Sequence, residues 1–187
     1  MPVCSASAVA ARAFRAFTAL ALILGLQAPA QAQTLELSVK AAFLPKFARY
    51  VQWPPAQLPA GSPLQLCIIG SDPFGSLIDQ AAAGERVDQH PVAVRRLAST
   101  AQAAGCHIAF LRGTPAQSTA SMLAALRPLP ILTVTDFRSG AQRGMIHFAL
   151  TGNRVGFHVD EAVAARSNLA ISSRLLALAL TVRQRRG

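Results

Sequence analysis

The succession of short apolar runs and helix-like stretches constrains this chain more than any other feature. Residues 64–69 (Leu-Gln-Leu-Cys-Ile-Ile) close on Gly70, and such a run bounded by turn residues reads as a strand buried on both faces. Residues 92–94, 107–111 and 131–135 supply three more strands. Between them lie two helical stretches. One covers residues 73–83, with Asp72 as N-cap and Pro73 at the first helical position; the other covers 116–126 and ends at Pro128. Upstream, Leu35, Val39, Phe43, Phe47 and Tyr50 or Val51 step by three and four. That spacing predicts a helix over 34–51, kinked at Pro45 and ended by Trp53-Pro54-Pro55. Alternating strands and helices predict an α/β domain with a mostly parallel sheet flanked by helices. Residues 145–150 and 155–159 flank Thr151-Gly152-Asn153-Arg154, so a late antiparallel hairpin is added. A long helical stretch from Glu161 to about Arg183 is expected to close a single domain.

The N-terminus sets the compartment. Arg12 and Arg15 precede an apolar run from Ala16 to Leu26, and two small-x-small sites follow, Ala28-Pro29-Ala30 and Ala30-Gln31-Ala32. This is the pattern of a secretory signal peptide, and the run is shorter than the ~20 residues a membrane span needs. Residues 1–32 are therefore expected to be an export signal and residues 33–187 the working domain. Cys4 leaves with the signal, so Cys67 and Cys106 remain. An even pair in an oxidising compartment reads as one disulfide. Two buried thiols, or a zinc site with His107, are the alternatives, although His90, His107, His147 and His158 show no zinc-ligand spacing. The chain carries 18 Lys+Arg against 8 Asp+Glu, and export removes only Arg12 and Arg15, so a net charge of +10 falls only to +8. No nucleic-acid motif accompanies the charge, and no aromatics interleave with Arg95-Arg96 or with Arg183, Arg185 and Arg186. The expected partner is not nucleic acid but an acidic protein domain, with peripheral contact to an anionic membrane surface as the other use.

Few residues are arranged for chemistry. Residues 70–75 (Gly-Ser-Asp-Pro-Phe-Gly) follow a strand and open a helix, where an α/β fold binds anions, but the spacing fits neither G-x-G-x-x-G nor a P-loop. Gly70, Ser71 and Asp72 are the candidate ligand pocket, together with Thr135 and Asp136 at the end of the fourth strand. Ser172-Ser173 lacks a nucleophile elbow and reads as a helix cap. Asp160-Glu161 reads as a helix start, and Asp136 as a turn or cap residue. No catalytic set, metal site or cofactor is expected. Leu169 and Ile171, around Ala170, interrupt the amphipathic pattern and with Glu161 are candidate partner-binding residues; core packing is the alternative for both.

Four segments together carry a resemblance. They are residues 39–54 (VKAAFLPKFARYVQWP), 66–75 (LCIIGSDPFG), 106–110 (CHIAF), and 154–160 (RVGFHVD) running into 168–179 (NLAISSRLLALA). Their order and spacing resemble the YfiR-like family of periplasmic regulators over essentially all of residues 33–187. The resemblance implies a periplasmic α/β domain without catalytic activity. It also implies repression of an inner-membrane diguanylate cyclase through that enzyme's periplasmic sensor region, which controls cyclic di-GMP and biofilm formation. A disulfide between Cys67 and Cys106 is implied as well. The second cysteine pair of some family members, near the late hairpin, has no counterpart here, where Met145 and Gly152 stand. A homodimer and a small ligand that signals to the membrane partner remain open.

Overall fold

A strand that is apolar on both faces needs a neighbour on each edge and a cover on each side, and β2 (Leu64–Gly70) has all four. The computed structural model describes residues 28–184. Helix α1 (Ala28–Phe47) leads through a 3-10 turn into β1 (Val51–Gln52). After β2 come α2 (Ser76–Ala82), β3 (Arg86–Val87), β4 (His90–Leu97), β5 (Ile108–Arg112), α3 (Thr119–Leu126) and β6 (Leu132–Asp136). The chain continues through β7 (Ile146–Thr151), β8 (Arg154–Asp160), α4 (Glu161–Arg166), β9 (Ala170–Ile171), α5 (Ser173–Leu178) and β10 (Thr181–Arg183). The expected export signal lies outside the described residues as far as residue 27, and its cleavage point after Ala32 would fall within α1. Residues 28–36 belong to a separate unit whose described part is helix; from Leu37 onward the described chain is one unit. No helix among the described residues is long and apolar enough to cross a membrane.

The main sheet runs β10-β8-β7-β6-β5-β2-β4-β3. Strands β4, β2, β5, β6 and β7 are parallel. Strand β8 returns antiparallel to β7 through a two-residue loop in which Gly152 takes the positive φ such a tight turn requires. The parallel strands follow a doubly wound order, with the direction of winding reversing between β2 and β5. The expected mostly parallel α/β sheet with a late hairpin is thus present. Side-chain parity sorts its faces. Leu66 and Ile68 join Phe110, Val134 and Phe148 in the core that also takes Ala41, Leu44 and Phe47 of α1. Cys67 and Ile69 point the other way and join Leu111 with Met122 and Leu126 of α3.

Three expectations need correction. The fully buried stripe of α1 is Lys40, Ala41, Leu44 and Phe47; of the predicted positions Phe47 is in it and Phe43 packs beside it, but Leu35 is 66% exposed. The stripe contains a lysine, which a hydrophobic pattern does not count. The second helix starts at Ser76 rather than at Pro73, because the Asp72 carboxylate accepts the Phe74 and Gly75 amides in a tight turn first. The long C-terminal helix is two short helices and two short strands. Asn168 sits at φ 57°, which stops α4, and Ala170–Ile171 then pair antiparallel with β1, with the Ser172 amide donating to the Tyr50 carbonyl. The last helix, α5, is followed by β10.

Two crossovers of the parallel sheet lack an α-helix, and in the first, between β4 and β5, residues 98–107 hold only a 3-10 turn. Strands β6 and β7 are parallel, yet residues 137–145 join them with a single 3-10 turn and no α-helix. Helix α3 covers β2 and β5 on its face of the sheet, and this connection brings no second helix to cover β6 and β7 beside it.

Candidate functional site

The crevice where a doubly wound sheet usually takes its ligand is bridged by backbone. At the carboxyl ends of β2 and β5 the Ser71 amide donates to the Arg112 carbonyl at 3.0 Å. Gly70 takes φ 87°, and a Cβ there would overlap that carbonyl and the Met122 methyl group. Asp72 caps its own turn and holds the Arg96 Nε at 2.8 Å. Arg96 also donates to Asp79 and to the Gly75 carbonyl. Its hydrogen bonds hold the Asp79 carboxyl below the usual range, and Asp79 and Asp72 in turn make the Arg96 proton harder to remove. The Ser71 amide and the Asp72 carboxylate of the predicted pocket are thus engaged within the chain. Asp136, expected in a turn or cap, is instead fully buried and accepts from the Lys40 ammonium of α1 at 3.1 Å. The Lys40 ammonium lies 4.5 Å from the Phe137 ring centroid, a cation–π contact.

Cys67 of β2 and Cys106, just before β5, form the expected disulfide, with Cα atoms 5.9 Å apart and both residues buried. His107 beside it is no metal ligand. Its Nδ1 accepts from the Gln65 amide at 2.9 Å, its Nε2 donates to the Gln57 carbonyl at 2.8 Å, and burial pushes its imidazole pKa down. Trp53 packs edge-on against His107 and donates its indole N–H to the His107 carbonyl, so it is the packed helix terminator that its Pro-Pro context suggests.

The structure brings the predicted partner-binding residues into one neighbourhood, with two of them pointing inward. Leu169 and Ile171 are core residues, 3% and 8% exposed, and Ala170 between them faces solvent. Glu161 is half-buried in the first turn of α4, whose N-cap is Asp160 accepting from the Val163 amide. Ser172 caps α5 by accepting from the Arg174 amide. A groove of about 440 Å³ beside this segment is lined by Arg49, Gln52, Asp88, Ala170 and Ser173, among others.

Sequence reasoning missed a polar row across the sheet beside the helix-less β6–β7 connection. Thr135 of β6 registers with His147 of β7, His147 with His158 of β8, and His158 with Thr181 of β10. Thr135 Oγ1 accepts the Gly144 amide at 2.9 Å and lies 2.9 Å from His147 Nδ1. This bond occupies Nδ1 and leaves Nε2 as the ring's other polar atom. His158 Nδ1 is held at 2.7 Å by Thr181 Oγ1, and the two imidazoles stack with centroids 6.4 Å apart. Above this row lies a groove of about 490 Å³, rimmed by Arg127, Arg143, Arg166 and Arg183, with Asp160 as the one carboxylate among its lining residues. Burial first, then the charge of Arg143, pushes His147 down to about 4 and lowers His158 as well. Both rings are neutral near pH 7. The signal was present in the sequence: a two-residue turn at Gly152-Asn153 fixes the hairpin register and places His147 opposite His158.

The family model described as YfiR/HmsC-like matches residues 37–180, from within α1 to just before β10. No curated protein matches the chain.

Proposed function

The chain belongs to the YfiR/HmsC-like family, and from that premise we propose that it is a periplasmic regulatory protein that represses an inner-membrane diguanylate cyclase. The observation that carries the reading is the family match itself, which takes in every strand of the sheet except β10. The signal-like N-terminus and the cross-linked cysteines support an oxidising location outside the cytoplasm. Members of the family are regulators rather than enzymes, so binding would do the work. Repression then requires that the protein bind the inactive state of the cyclase's periplasmic sensor region better than the active one. In this reading Leu169 and Ile171 act from beneath. They fix the segment after α4, and its exposed members Ala170, Ser173 and Arg174 meet the sensor.

Deleting the gene should raise cellular cyclic di-GMP and biofilm mass, and restoring it should reverse both. In the restored strain Ala170→Arg should release the cyclase while leaving the melting temperature of the purified protein unchanged. Unchanged cyclic di-GMP after deletion would overturn the regulatory reading. Full repression by Ala170→Arg would move the contact elsewhere on the molecule.

A further inference from the structure

We propose that His147, His158 and Thr181, with Thr135 fixing His147 from beneath, and the arginines around them form a binding site for the phosphoryl group of a small anion. The floor of this groove is built for polarity. The same strands present Val134, Ile146, Phe148 and Phe157 to the core on their other face, so the sequence supplies apolar residues where a cover exists. On the face toward the groove four residues in register across four strands are hydroxyls or imidazoles. Thr135 and His147 are 0% and 5% exposed, and each imidazole Nδ1 is fixed by a threonine. No protein group among the described residues bonds either Nε2, so each ring keeps one polar atom for the groove.

The rim supplies the charge. Arg127, Arg143 and Arg166 are exposed and none is ion-paired among the described residues, whereas Arg183 shares Asp160 at 3.1 Å. Away from this groove, Arg49 pairs with Glu85, and Arg96 with Asp72 and Asp79. Planar guanidinium forks match the oxygens of a phosphoryl group two at a time. Neutral imidazoles add hydrogen-bonding capacity without adding to the repulsion among the arginines. A bound anion relieves that repulsion, and an open groove of about 490 Å³ takes a phosphate ester the size of a nucleotide or a lipid headgroup. The site is distinct from the sensor contact, so its test does not depend on the cyclase.

Calorimetric titration of the purified protein with sodium pyrophosphate, at constant ionic strength, tests it. One saturable event is expected, with the imidazole nitrogen resonances of His147 and His158 shifting as it saturates. The pair R143Q/R166Q should weaken binding by about ten-fold or more. The pair R86Q/R154Q, which removes the same charge from exposed positions outside the groove, should change it less than about two-fold. Pelleting with phosphatidylglycerol vesicles, reversed by pyrophosphate, would assign the phosphoryl group to a lipid headgroup. Pyrophosphate binding without pelleting would assign it to a soluble phosphate ester. Absence of binding to either probe, equal loss in the two variant pairs, or heat release with silent histidine resonances would overturn the site.

Discussion

At the residue scale, His147 ties stability to pH. Burial lowers its pKa to about 4; Arg143, His158 and Lys40 push the same way and Asp136 opposes them. The unfolded chain has an ordinary imidazole near 6.5. The native state therefore binds fewer protons below that value, and the stability held by neutral His147 is complete above about pH 6.5. It drains away as the pH falls and is gone below about 4, a loss of about 3 kcal/mol from this side chain. Urea unfolding at about pH 7.5, 5.5 and 4 should show that decline. His147→Gln, whose amide can still hydrogen-bond Thr135 but cannot titrate, should show a shallower one. Parallel declines in the two proteins would remove His147 as the cause. Residues of this kind differ in how readable they are. The facing histidines follow from a hairpin register that the turn announces. The Lys40–Asp136 pair does not, because its partners lie 96 residues apart and buried charges are tolerated only when the fold brings a counter-charge.

At the element scale, the strands of the parallel core were the most legible, since each is a run whose burial on both faces leaves little choice of neighbour. Two-residue strands such as β1 and β9 carry no periodicity, and their pairing decides where the C-terminal helix breaks. The turn before α2 reads as a helix start in the sequence because Asp72 caps a turn with the same side-chain chemistry that caps a helix. The disulfide acts on elements too, since it ties β2 to the loop entering its neighbour β5 across a separation of 39 residues. Loop entropy alone gives the bond about 4 kcal/mol. Replacing Cys67 and Cys106 together by Ser should lower the unfolding free energy by roughly that amount, with some further cost from two hydroxyls in an apolar cluster. A reductant should lower the melting temperature of the unmodified protein and leave that of the variant alone. Identical melting of the unmodified protein with and without reductant would show that the bridge contributes nothing to stability.

At the scale of the whole molecule, the excess of basic residues, legible at once as a number, has meaning only through its placement. Near the β4 end of the sheet Asp72 and Asp79 share Arg96, and Glu85 pairs with Arg49. The groove over β7, β8 and β10 carries four arginines against one carboxylate. The field is therefore uneven, and the far end of the sheet is the strongly positive one. An uneven field speeds the encounter with an acidic partner and governs on-rates more than the lifetime of the complex. If the sensor region of the cyclase is the partner and its surface is acidic, the association rate should fall steeply between about 50 and 500 mM NaCl, while the dissociation rate changes little. R143Q/R166Q should flatten that salt dependence even though neither arginine lies in the segment after α4. Surface plasmon resonance against the isolated sensor region reads both rates. A salt-independent association rate would mean that the positive end of the molecule serves its anion site alone and plays no part in finding the membrane partner.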